Sequence, residues 1–502
     1  MLSSGMRALA AAALVCTLAA PATAQDKPLK RDEFFWLGEI NKATAVINTD
    51  DGLLDKALAP KLAAGIAKVL ADGDAPGGER PRIVIRFEPL LIAAAGPEVT
   101  LLHAGRSSQD MHATYSAAIL RDNLLTLAAQ LNATSRALVR LAERNRDTIV
   151  PNYTNGVAAQ PNAYAHQLLG QFAGLERDAQ RLREAYARID RCAMGTTVLN
   201  GTSWPLDRKR MADYLGFAAI VDNAYDASQI SSMDEPVEVG QIVVSIALRA
   251  GHFVEDTLTQ YAQARPWILL KEGEGTTYVS SAMPQKRNPG LLNDTRRNAS
   301  TALNLGLGPS LRAHNITPGM VDPKSVADNA AVIESALVFL KGWEKILNSL
   351  VIDPARALEE LNGDWTASQE LADLLMRKYK LPFRVGHHFA SEVVGYARAH
   401  DIKPLDFPYA EARRIYAEAV RDYPAAAPEL PISEAEFRAT LDPRAIVRNR
   451  ATVGGPQPAE LDRMLKEADA KLDAQDAWIK ARRDHIAASL ARLDADFAKL
   501  LK

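Results

Sequence analysis

EVGQIVVSIALRAGHFVEDTLTQYA, residues 238–262, is apolar nearly all round at helical spacing. A helix of that pattern is buried on several sides, because it keeps no continuous polar stripe for water. The same pattern recurs on either side of it. ILRDNLLTLAAQLNATSRALVRLAERN (119–145) repeats apolar residues at helical spacing with few β-branched residues. AYAHQLLGQFAGLERDAQRLREAYARID (163–190), NPGLLNDTRRNASTALNLGLG (288–308) and VADNAAVIESALVFLKGWEKILNSL (326–350) continue the series. Polar turns bearing Pro and Gly join these segments, and no strand alternation of useful length interrupts them. The chain therefore reads as mostly α, with a central long-helix bundle.

The 502 residues, 47% hydrophobic and 24% charged, are enough for a large core and for two or three domains. Changes of character divide the chain into an N-terminal domain (25–112), the central bundle (113–361) and a C-terminal helical domain with its tail (362–502). That tail, EADAKLDAQDAWIKARRDHIAASLARLDADFAKLLK, is amphipathic and fits packing or oligomer contact. A formal net charge of −2 implies no broad basic face for nucleic acid. MLSSGMR, the apolar run ALAAAALVCTLAA and the small-x-small site Ala22-Thr23-Ala24 follow one another as in a signal peptide over residues 1–24. Cleavage after Ala24 would make the protein periplasmic or secreted. No later stretch reads as long and apolar enough to span a bilayer, so no membrane partner is expected. Cys16 would leave with the signal. Cys192 then stands alone, with no intrachain disulfide possible, and reads as a small buried hydrophobe.

Four polar stretches break the helical pattern: HAGRSSQD (103–110), NYTNGVAAQP (152–161), GTSWPLDRKRMADYLGF (201–217) and YVSSAMPQKRNPG (278–290). The first, second and fourth are rich in hydroxyl and amide groups and poor in carboxylates, and the third adds Arg208. Such groups suit an anionic ligand such as a dicarboxylate. Composition alone fits ordinary interhelix turns equally well.

SSAMPQKRNP (280–289) closely resembles the signature loop of the fumarase/aspartase superfamily. LHAGRSSQD and YTNGVAAQP, the latter followed by a helix ending LERD, resemble its other two conserved regions, in order and spacing. GTSWPLDRKRMADYLGF and WTASQELADLLMRKYKLPFRVGHH most resemble argininosuccinate lyase within it. The resemblance implies a three-domain fumarase/aspartase-like fold and a homotetramer whose sites draw on three subunits. It implies a carbon–nitrogen lyase acting on a small-molecule dicarboxylate, with no cofactor and no metal. The reaction would be β-elimination of an N-substituted aspartate to fumarate and an amine. The alternatives are a superfamily lyase or cycloisomerase with a different leaving group, or a catalytically silent dicarboxylate-binding homologue. By resemblance, Ser280 on a mobile lid is the base for the Cβ proton, and Lys286 and Asn288 bind a substrate carboxylate. Ser107, Gln109, Thr154, Gln160 and Arg208 would position the dicarboxylate. The chemistry needs such groups. Removing a proton next to a carboxylate loads that carboxylate with extra negative charge, which fixed cationic and amide donors must stabilise.

The departures concentrate on the proton donor. The superfamily often has His where this chain has Asn155, and a Glu partnering it where this chain has Asn293. Amides cannot donate a proton and recover it at neutral pH, so no imidazole is expected to protonate the leaving group from that point. Val279 replaces the loop's usual Gly. Ser108 and Gln109 replace the Arg and Asn of argininosuccinate lyases. The downstream Tyr, Gln and Lys of those enzymes have no clear match around RAHNITPGMVDPK (312–324).

Overall fold

The computed structural model describes residues 31–502; the signal peptide expected over 1–24 lies outside them. Helix α1 (Glu33–Asp50) starts where the Asp32 side chain accepts from the Phe35 N–H at 3.1 Å. Helix α2 (Ser108–Arg144) starts with a reciprocal cap: Ser107 accepts from the first turn while Asp110 takes the Ser107 N–H at 2.8 Å. Helices α3 (Tyr164–Ile189), α4 (Ser231–Tyr261), α5 (Gly290–Ala313) and α6 (Val326–Ser349) complete the bundle. Within it α2 packs on α3 and α6, and α4 packs on α3, α5 and α6.

One close crossing in the bundle is set by two glycines. A Cβ on Gly240 of α4 would lie 2.4 Å from the Gly306 carbonyl oxygen, and one on Gly306 of α5 would lie 2.8 Å from that of Gly240. The two backbones touch there because neither residue has a side chain. A buried ion pair ties the bundle at another point. Arg121 on α2 donates to Asp190 at 2.8 Å and to the Gly216 and Leu215 carbonyls, with the Phe217 ring 4.2 Å away.

Three expectations are corrected. With the π-helical turn Asp226–Ile230 that precedes it, α4 is one helix, Asp226–Tyr261, long and apolar enough to cross a membrane by length and composition. Half of its apolar window is buried inside this chain, against α3, α5 and α6. Its apolarity is thus that of a helix packed on several sides. Second, the segment read as a strandless break contains a hairpin. Strand β1 (Ile149–Thr154) pairs antiparallel with β2 (Val157–Ala163). Its turn is Asn155-Gly156, both at positive φ (54° and 76°), as a tight hairpin requires. Third, the tail does not join the C-terminal domain. A separate core of residues between Trp365 and Leu441, built on helices α7 (Ser368–Tyr379) and α8 (Phe383–Ala399), forms that domain. Helix α9 (Pro458–Leu500) returns to pack on α1, α2 and α3, inside the main core. The N-terminal helix α1 shares that core as well. Cys192 is buried and free, its thiol pushed up to about 11 by that burial.

Candidate active site

The three motif regions are built by three different devices. In the signature region, the short strands Tyr278–Val279 and Arg287–Asn288 pair antiparallel and pinch off the loop 280–286. The Ser280 N–H donates to the Lys286 carbonyl at 3.2 Å, closing the neck. The Ser280 side chain folds back over its own turn. Its Oγ accepts the backbone N–H groups of Ala282 at 3.4 Å and Met283 at 3.2 Å. Two amide dipoles converging on a hydroxyl oxygen favour its ionised form. Asn288 reaches the Tyr278 carbonyl at 3.5 Å, and Arg287 is held by Glu272 at 2.9 Å. The Lys286 side chain is exposed and carries no ion pair among the described residues.

In the first region Ser107 is spent on capping: its Oγ accepts from the Gln109 N–H at 3.3 Å. Asp110 is fully buried and accepts from the backbone amides of Gly195, Thr196 and Thr197 at 3.0–3.1 Å. Burial pushes its carboxyl up to about 6, against the pull of those amides and that of Ser107. Arg208 leans on the same loop. Its guanidinium donates to the Met194, Val221 and Asp222 carbonyls, at 3.1, 2.6 and 3.5 Å. In this chain Arg208 is therefore engaged as a backbone clamp, where the sequence pointed to a ligand contact.

The sequence reading missed one residue here. Lys324, only 2% exposed, donates from Nζ to Gln109 Oε1 at 2.9 Å and to the Ser228 carbonyl at 3.0 Å. No carboxylate pairs with it among the described residues, and burial lowers its ammonium to about 8. The signal was present as a Lys at the end of RAHNITPGMVDPK, but its neighbours gave no motif.

In the second region Thr154 is exposed beside the Asn-Gly turn. Gln160 on β2 donates to Gln369 Oε1 of α7 at 2.9 Å. Asn293 lies exposed in the first turn of α5.

One chain does not bring these regions together. Ser107, Gln109, Arg208 and Lys324 sit at the N-terminal end of α2. The hairpin with Thr154 and Gln160 follows its C-terminal end, 37 residues later; at the helical rise that is roughly 55 Å. The signature loop hangs from the hairpin's end of the bundle, beyond Trp267, whose ring packs edge-on against Tyr164. No hydrogen bond joins loop and hairpin among the described residues.

Comparison with known proteins matches the same segments. A lyase family model covers residues 92–302, and an argininosuccinate lyase C-terminal model covers 365–448. Argininosuccinate lyase of Geobacillus kaustophilus is 30% identical over 395 residues, 77% of this chain and 80% of that protein. The chain belongs to the fumarase/aspartase superfamily. Argininosuccinate lyase of Methanosarcina acetivorans is 26% identical over 455 residues, 89% of each chain. Among solved structures, EDDS lyase in complex with formate superposes with a TM-score of 0.83 at 23% identity, covering 93% of this chain and 92% of that one. The long-helix bundle is thus the superfamily's fold, and the chain is a lyase by family.

Proposed function

We propose that this superfamily member is a carbon–nitrogen lyase that splits an N-substituted aspartate, or a related substituted succinate, into fumarate and an amine. The observation that carries the reading is the pair of backbone N–H groups on Ser280 Oγ. A serine abstracts a weakly acidic proton only when ionised, and these donors favour that state. Lys286 and Asn288 on the same hairpin supply the charge and amide that an aci-carboxylate needs. Thr154 is free to hold the substrate's other oxygens, and Gln109 and Gln160 would do so by giving up their bonds to the Gly319 carbonyl and to Gln369. Both a relative named argininosuccinate lyase and a solved EDDS lyase variant with bound fumarate agree with such a product. The protein is exported, on the pattern of residues 1–24, to the periplasm or beyond.

The assembly is a homotetramer with composite sites. The roughly 55 Å between the first and second regions leaves copies of the chain to bring them together. Exposed Leu248 on α4, Leu307 and Leu311 on α5 and Val338 on α6 offer apolar surface for that contact. The test is fumarate release, followed by ultraviolet absorbance, across a panel of N-substituted aspartates. Release from at least one supports the reading, and none from any overturns it. A second reading, a silent dicarboxylate-binding homologue, is favoured by Asn155 and Asn293 in place of the usual acid–base pair: Asn155 occupies a positive-φ hairpin position that suits Asn as a turn residue, with no chemistry required. Fumarate binding without turnover on the panel would select it.

A further inference from the structure

The tail helix α9 leaves a gap where it lies on the bundle. Between α2, α3 and α9 there is a cavity of about 200 Å³. Roughly 150 Å³ suffices for a benzene ring in an apolar protein interior, so this cavity has room for a ring with a polar group attached. Its walls are apolar: Phe172 and Leu175 from α3 and Leu472 from α9, all buried. None of the residues assigned to the dicarboxylate or to the elimination lines it. The exposed apolar residues offered for contact between copies lie on α4, α5 and α6, so that contact draws on other helices.

The polar groups left unmet at this cavity are donors. Gln475 on α9 is only 2% exposed, and its Oε1 accepts an Arg183 N–H at 2.9 Å. That bond fixes the amide, because the opposite setting would turn its NH2 group against the guanidinium. Nε2 is then left buried with no acceptor among the described residues. A buried donor without an acceptor is costly and rare in a native fold. The Ser135 hydroxyl of α2, buried at the same cavity, also makes no hydrogen bond among the described residues. Arg183 has no carboxylate partner among them; its bond is to the neutral amide of Gln475. The nearby carboxylates are already engaged. Glu176 lies 3.8 Å from Lys471, and Asp473 and Asp476 lie 2.9 and 2.8 Å from Arg136. A cation, an amide and a hydroxyl therefore face an apolar cavity that supplies them no acceptor.

We propose that this cavity is a second small-molecule site, which takes a compact monocarboxylate with a flat apolar body of about the size of benzoate. The ring packs on Phe172, Leu175 and Leu472. The carboxylate accepts from Arg183 and from Gln475 Nε2, and the bond to the guanidinium is charge-assisted. The same chemistry excludes other classes. A plain hydrocarbon suits the walls but leaves the donors unmet. A dicarboxylate such as fumarate would bury its second charge against an apolar wall. A ring carrying a cation would face Arg183 with like charge. The site joins Arg183 of α3 to Gln475 of α9, so its occupant ties the tail helix to the bundle. A ligand that binds only the folded chain stabilises it by mass action.

The test titrates the full-length protein with benzoate by calorimetry, and with toluene and benzamidine as a neutral and a cationic ring. The expected result is saturable binding of one benzoate per chain, with toluene and benzamidine at least about tenfold weaker. Excess fumarate should not displace the benzoate. At a hundred times its Kd, benzoate should raise the melting temperature by about 2–3 °C. Arg183→Met and Gln475→Met should each weaken benzoate by about tenfold or more. Arg183 is half-buried, so its variant keeps the test open even where loss of the Gln475 amide disturbs the fold. Melting of each variant without ligand confirms that it is folded. No saturable binding, toluene binding as tightly as benzoate, displacement by fumarate, or an unchanged benzoate affinity in Arg183→Met would each overturn the proposal. The lyase reading stands or falls separately, on fumarate release.

Discussion

Ser280 sits in a four-residue turn in which the backbone amides of Ala282 and Met283 meet its own Oγ. Ser280→Ala is expected to lower turnover by about 10²–10⁴-fold while fumarate binding, measured by calorimetry, stays within a few-fold. Near-normal turnover would remove Ser280 from the mechanism. Asp110 offers a stability test in the neighbouring region. Asp110→Asn turns an acceptor oxygen into a donor facing the amides of 195–197. It is expected to cost about 1–3 kcal/mol in denaturant unfolding and to weaken dicarboxylate binding through displaced Gln109. The superfamily's signature was legible in Ser280, Lys286 and Asn288 because these residues lie in one contiguous stretch. Lys324 was not, because its meaning lies in burial and in partners more than ninety positions away. Arg208 was legible as a cation, but its use on three carbonyls is a tertiary fact.

Among the elements, the Gly240–Gly306 crossing fixes how close α4 and α5 can run. Gly240→Ala would set a methyl against a carbonyl that cannot rotate away. It is expected to destabilise the fold by about 1–3 kcal/mol despite the better helix propensity of Ala, read as a lowered melting temperature. An unchanged or raised melting temperature would mean that the helices are free to part. The helices themselves were legible from their 3.6-residue period, since 31 residues of α4 and 37 of α2 give it many repeats. The hairpin was hidden because Pro151 and Pro161 interrupt its strands and its outer half is exposed, so it shows no clean alternation. Its one local signal was Asn155-Gly156, a strong hairpin turn pair. The return of α9 to the main core could not be read from an amphipathic pattern, which says that a face is buried but not against what.

For the whole molecule, the placement of motif residues at the two ends of α2 is what the proposed composite site rests on. Light scattering is expected to give a tetramer, with fumarate release tracking that species on dilution. Leu248→Arg, at an exposed apolar position of α4, is expected to dissociate the assembly and abolish turnover while leaving helical circular dichroism intact. An active monomer would refute the composite site. The same geometry has a genetic meaning. A chain carrying Ser280→Ala and a chain carrying Gln109→Ala would each be dead alone. Mixed in one cell, they would form hybrids in which some sites draw Ser280 from one parent and Gln109 from the other. Two null alleles would then complement, and a heterozygote would hold activity that neither parent has.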